Sequence, residues 1–282
     1  MSMSASTQLL TSERLRLAYG LVSLMLWLLV RPVFPQSGQT GSLDASFDPG
    51  VMVEEVSSDT TTSKLGFKRG DVLLLWRCVG SRLELKSPFD FSRVERHRVA
   101  CSGPSQFEGL RGTEHHTWDL GPEYWGITVQ PNFNARLRSK YDEGVSFFAK
   151  HMFSAALDSW HELVSQSAPS WLQPWLALRA ADLFAEARLW PEADTNYQRA
   201  AELAPETEPL VLADIHYAWG EAFWRRSEWE HAEQRYRLAL AEAERDGDIV
   251  YIAKMLNGLG SASLNGSSEE IVGGIGFGQL AK

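Results

Sequence analysis

The chain has 282 residues, 44% hydrophobic and 22% charged, an ordinary globular balance with room for two modest domains behind a short leader. Its net charge is −9, and Lys and Arg nowhere cluster, which argues against a nucleic-acid partner. Acidic residues are interspersed with basic ones, as in Arg225, Arg226, Glu228, Glu230, Glu233, Arg235 and Arg237, the pattern of a solvated helical face.

Residues 17–30 (LAYGLVSLMLWLLV) form an uncharged run of 14, preceded by Arg14 and Arg16 and followed by Arg31 and Pro32. That length suits the apolar region of a signal peptide better than a full span of about 20 residues. No small-x-small cleavage site follows, because Val33-Phe34-Pro35-Gln36 is bulky, and a snorkelling Arg31 would let the run continue as an uncleaved anchor. Residues 1–35 therefore predict export or membrane anchoring, with the rest of the chain on the periplasmic side of the cell envelope; cleavage and anchoring stay open. Residues 36–48 are small and polar and read as a flexible linker.

From Gly50 the pattern turns to short strands. Val51, Val53 and Val56 alternate with Met52, Glu54 and Glu55, a Ser/Thr-rich bend follows, and Gly70-Asp71 signals a turn into the apolar run Val72 to Trp76. Gly50, Val51, Val53, Val56, Gly66, Phe67, Gly70, Asp71, Val72 and Leu73 stand where the bacterial PDZ module has G-V-x-V-x-x-V and G-L/F-x-x-G-D followed by an apolar strand. Residues 49–131 resemble that module over these positions. The Ala-Ala of the family's short helix is replaced by Thr61, Thr62, Ser63 and Lys64, a departure from the pattern. Ser87-Pro88-Phe89-Asp90 caps a short helix to His97, Arg111-Gly112 turns a hairpin, and Trp125 to Val129 supplies a last strand. The resemblance implies a small, partly open β-barrel that captures an extended peptide at a sheet edge. Only Tyr124-Trp125-Gly126-Ile127 has the apolar-Gly-apolar texture of a carboxylate-holding loop, so Trp125, Gly126 and Ile127 are candidate partner contacts, against the plainer reading of a structural strand with a packed Trp.

Cys78 and Cys101 both lie in this region; the sequence leaves a single disulfide and two separate thiols as alternatives. Glu114-His115-His116 is no chelating set, because neighbours on a strand point to opposite faces.

Between Tyr141 and Leu240 a helical pattern returns three times: Gly144, Phe147, Ala156, Trp160 and Leu163; Ala181, Phe184, Ala193, Tyr197 and Ala200; Gly220, Phe223, Ala232, Tyr236 and Ala239. Within each helix the marked residues lie three or four apart and share one face. Pro169 and Pro205 follow the first two units, where the chain must turn. The pattern resembles the tetratricopeptide repeat, with steps of 37 (Ala156 to Ala193) and 39 (Ala193 to Ala232) in place of the family's usual 34 or so. Residues 139–264 are expected to hold three repeats and an incomplete fourth, opened by Leu256, Leu259 and Gly260. The resemblance implies a stacked helix-hairpin array that grips a protein segment. Trp171 and Trp175, four apart beside Pro174, are the candidate anchors of its hollow.

Residues 265–282 are expected to fray, since Gly273 to Gly278 (GGIGFG) suits no amphipathic helix and lacks the strand, helix and acidic residue of a phosphate-cradling loop. No nucleophile–base pair, carboxylate pair or metal set stands out, so no catalytic residue, cofactor or metal is nominated. The expectation is an α+β multidomain, non-enzymatic adaptor or scaffold with protein or peptide partners and membrane contact through the leader alone. The rival expectation is the regulatory amino-terminal part of a larger effector with a caspase-like peptidase domain beyond these residues.

Overall fold

In the computed structural model, residues 47–164 and 168–274 can be described, with side chains as far as Gly266. They belong to one unit spanning Asp44–Lys282. The leader and most of the linker lie outside the described residues. Among these, no helix is long and apolar enough to cross a membrane.

The architecture is α+β: a mostly amino-terminal antiparallel sheet, then a run of helices. The strands are β1 (Val51–Val56), β2 (Val72–Cys78), β3 (Ser81–Glu84), β4 (Ser105–Arg111), β5 (Glu114–Leu120) and β6 (Ile127–Pro131). Two helices interrupt them, α1 (Thr61–Lys64) and α2 (Pro88–His97). The sheet order is β5-β4-β2-β1-β6, with β3 paired to β2 off this path. The sheet is thus open, with β5 and β6 at its two ends, and does not close into a barrel.

Its inward face is the alternate set the sequence displays, with Val51, Val53, Leu73, Trp76, Phe107, Trp118, Leu120, Trp125, Ile127 and Val129 packed around Phe91 and Val94 of α2. A reciprocal capping box fixes α2: Asp90 N–H donates to Ser87 Oγ at 3.2 Å, and Ser87 N–H to Asp90 Oδ2 at 2.8 Å. Asp71 explains the turn signal before β2. Buried, its carboxylate accepts from Lys68 N–H at 2.8 Å and from the Arg111 guanidinium at 2.7 and 2.8 Å. Cys78, at the end of β2, is bonded through sulfur to Cys101 beyond α2, with the Cα atoms 6.0 Å apart.

The following helices are α3 (Ala135–Ala149), α4 (Phe153–His161), α5 (Leu172–Glu186), α6 (Trp190–Leu203), α7 (Pro209–Arg225), α8 (Trp229–Asp246) and α9 (Ile249–Gly274). α3–α4, α5–α6 and α7–α8 pack as hairpins. Their turns repeat atom for atom. The carbonyls of Phe147, Phe184 and Phe223 accept from the N–H five residues on, of Met152, Leu189 and Glu228, at 2.9, 2.9 and 3.0 Å. One residue before each donor, His151, Arg188 and Ser227 take left-handed φ of 58–60°. In each hairpin a buried ring from the second helix reaches the small-residue turn of the first: Trp160 seats on Gly144 and Tyr236 on Gly220, and Tyr197 bonds Asp182, the residue after Ala181. Each ring keeps its polar atom satisfied. Trp160 Nε1–H donates to the Tyr141 carbonyl, and the Tyr197 and Tyr236 hydroxyls donate to Asp182 and Glu221, each the residue after the small one.

Two expectations are adjusted. Pro169 does not stand immediately after a helix: α4 ends at His161, and the Pro169 carbonyl caps the approach to α5 by accepting from Leu172 N–H at 3.0 Å. α9 continues past Leu264 to Gly274; residues 275–282 lie outside the described residues.

Candidate functional site

β6 is an end strand, so its outer backbone edge has no strand beside it among the described residues. α2 runs alongside, and between them lies a groove of about 240 Å³. Its floor is Ile127, Thr128 and Val129, and one wall is Phe89, Ser92 and Arg96 of α2. The roof comes from the helical region, with Trp175, Leu178, Arg179 and Asp182 of α5 and Asp214 and Ala218 of α7.

Charged pairs between sheet and helices hold the roof in place. In β1 the register with β6 shifts between Val53 and Glu55, leaving Glu54 as the extra residue of a bulge. A bulge re-aims its side chain, and here Glu54 meets Arg179 Nη2 with both carboxylate oxygens at 3.3 Å. Tyr141 Oη donates to Glu54 at 3.2 Å and accepts from Arg179 Nε at 3.3 Å. Burial pushes the Tyr141 phenol up, so it stays protonated and can donate.

At the other end Arg96 is paired with Asp214, both almost wholly buried. The guanidinium lies 4.7 Å from the Tyr251 ring centroid and 5.6 Å from that of Tyr217, and Tyr251 Oη donates to Asp214 at 3.3 Å. Arg96 Nε is buried with no hydrogen-bond partner among the described residues. Burial raises the Asp214 carboxyl, and Arg96 works against that rise. Just beyond, His97 Nε2 lies 2.7 Å and Arg93 Nη2 3.5 Å from Asp248 Oδ2. Burial works to raise Asp248, but the hydrogen bond and charge of His97 and the N–H groups of Tyr251 and Val250 outweigh it and hold the carboxyl below its usual range. Lys254, nearby on α9, is lowered to about 8 by burial and by Arg96.

The five proposed partner contacts separate. Ile127 and Trp175 meet in this groove from opposite sides. Trp125 lies beneath it in the core, fully buried, with Nε1–H donating to the Gly121 carbonyl at 2.9 Å and its own carbonyl accepting from the Thr62 hydroxyl. Gly126 has φ +63°, and a Cβ there would stand 2.6 Å from Thr60, so the position needs Gly; its carbonyl accepts from Ser57 N–H at 2.8 Å. Trp171 lies elsewhere, edge-on to Phe47 at 5.8 Å, in a cleft of about 590 Å³ with Leu74 and Leu85.

Arg96, Arg179 and Asp214 of the groove, and Glu54 that pairs with Arg179, are residues the sequence reading passed over as site members. One carried a signal: Asp214 interrupts the apolar run of α7. Among the described residues no group of three His, Cys, Asp or Glu is placed to hold a metal ion. An open strand edge beside a helix, with walls that mix apolar and charged side chains, can accept an extended segment through main-chain hydrogen bonds. No family model matches the chain, and no curated protein matches it.

Proposed function

We propose that this chain is a non-enzymatic adaptor that binds protein or peptide partners, its sheet unit acting as a PDZ-like module and its hairpins as a tetratricopeptide-like array. The observation that carries the reading is the β6 edge, unpaired among the described residues, lying beside α2 over a floor of Ile127, Thr128 and Val129. An extended peptide laid there would take main-chain hydrogen bonds from β6 and seat alternate side chains between α2 and Trp175. The three hairpins, with identical turns and ring-on-small packing, support the repeat reading of the helical part. A Cys78–Cys101 bond favours an oxidising compartment and so export, with residues 17–30 as signal or anchor.

The test is a screen of immobilised extended peptides against the full-length chain, followed by titration of the strongest binders. Ser92→Trp, which fills the groove from α2, should weaken binding at least 10-fold while leaving the thermal melt unchanged. Equal binding by that variant refutes the groove, and sustained turnover of a metabolite by the pure protein refutes the non-enzymatic reading.

A further inference from the structure

α9 presents to solvent the face that the first helix of every hairpin buries. In α3 that face includes Leu137 and Gly144; in α5, Pro174, Ala177 and Ala181; in α7, Ala213, His216 and Gly220; all are buried. Forty residues on from the α7 set stand Ala253, Leu256 and Gly260, with Ile249 a turn earlier, and all four are exposed, Ile249 at 78% and Leu256 at 50%. The opposite face of α9 is already committed, with Tyr251, Met255 and Ala262 buried.

The vacancy has a definite shape. A methyl group added at Gly144 would collide with the Trp160 indole, and one at Gly220 would lie 2.7 Å from the Tyr236 ring. At Gly260 it would meet nothing within 4 Å among the described residues. The face is also uncharged. From Ile249 to Gly266 the one charged side chain is Lys254, whose Nζ is turned to the Tyr217 ring, 4.6 Å from its centroid.

We infer that this face of α9 is a docking site for an amphipathic helix of a partner protein, with an aromatic residue seated over Gly260 and small apolar residues four before and three after it. Those are the spacings of Ala193-Tyr197-Ala200 and Ala232-Tyr236-Ala239, which cover the two preceding hairpins. A second copy of this chain does not fit the part, because its ring-bearing helices are themselves buried in hairpins, with Trp160, Tyr197 and Tyr236 each at most 2% exposed. A helix paired along this length buries on the order of 1,000 Å², the lower end of specific interfaces. The site is separate from the α2–β6 groove and stands or falls without it.

The probe is a fluorescein-labelled synthetic peptide of residues 229–246, the chain's own covering helix, titrated with full-length protein and read by anisotropy. Saturable binding is expected, weakened at least 10-fold by Tyr236→Ala in the peptide and at least 10-fold by Gly260→Leu in the protein. The Gly260→Leu protein should keep its far-ultraviolet dichroism and melt no lower than the unaltered chain, and should bind groove peptides as that chain does. Failure to saturate by about 1 mM protein overturns the site, as does equal affinity for the Gly260→Leu protein, which would place the peptide elsewhere. Concentration-dependent self-association that Gly260→Leu abolishes and the peptide does not compete would overturn it too, by assigning the face to a second copy.

Discussion

Replacing Asp214 with Ala should be among the most damaging single changes in the described unit. Asp214 and Arg96 expose only 5% and 12% of their side chains, so the pair sits in a medium that screens poorly. Removing the carboxylate strands the guanidinium between the Tyr217 and Tyr251 rings, with Nε already unpartnered, and takes away the acceptor of the Tyr251 hydroxyl. Breaking a buried pair from one side costs about 3–5 kcal/mol, and the lost tyrosine hydrogen bond adds about 1 kcal/mol. The rings already flank the cation in the intact pair and return nothing new, so the net loss is about 4–6 kcal/mol. Urea unfolding of the full-length chain, followed by tryptophan fluorescence, should show the midpoint fall by roughly 1.3–3 M at an unchanged slope of about 2–3 kcal/mol/M. The double variant Arg96→Met/Asp214→Leu removes both charges and should recover most of the loss, because the penalty lies in the orphaned charge and not in the absent attraction. A loss below about 1 kcal/mol for Asp214→Ala, or a double variant as unstable as the sum of the two singles, would refute this account of the seam.

The same substitution at two equivalent glycines should have opposite signs. Gly220→Ala drives a methyl to 2.7 Å from the Tyr236 ring and should destabilise by about 1–2 kcal/mol despite the gain in helix propensity, whereas Gly260→Ala meets nothing and should stabilise by up to about 1 kcal/mol; equal signs in urea melts would refute the ring-on-small packing. His216, with Nδ1 buried and unpartnered among the described residues, is pushed down to about 4 by burial and by Arg235. Its folded-state value lies below the unfolded one of about 6.5. As pH falls from 6.5 to 4 the unfolded chain therefore takes up a proton that the folded chain refuses, and stability drops; above 6.5 the group contributes nothing. His216→Gln should accordingly lose about 2 kcal/mol less than the unaltered protein between pH 7 and 4.5, and parallel pH profiles would count against it. Replacing both Cys78 and Cys101 by Ser opens a loop whose ends are 23 residues apart and should cost about 3 kcal/mol under oxidising conditions, with no difference between the proteins once the bond is reduced.

Much of the framework was legible because it is local. The Ser87…Asp90 spacing gives a capping box whatever surrounds it, and Gly70-Asp71 and Arg111-Gly112 each mark a turn that flanking strands then follow. The small and aromatic residues of the three hairpins face one another because three-and-four spacing puts them on one helical stripe, and a ring needs a residue without a bulky side chain opposite it. The turns between those helices were less legible: the left-handed residues are His151, Arg188 and Ser227, none of them glycine, each held where the next residue's N–H donates to the carbonyl of a phenylalanine four residues before the left-handed one. The Cys78–Cys101 pair was left open because bonding depends on how β2 and the segment after α2 approach.

What the sequence determined by itself is the order of elements, strands first and helices after, and the faces they bury, since periods of two and of 3.6 are written into neighbouring residues. Tertiary structure alone decided that the sheet stays open at β6, that α5 and α7 roof the groove there, and that Ile127 and Trp175 meet while Trp171 goes elsewhere. Arg96 and Asp214 are 118 residues apart, as Glu54 and Arg179 are 125, and no periodicity spans such distances. Such pairs form only when two finished surfaces dock, because a charge accepts burial only where its partner is already waiting.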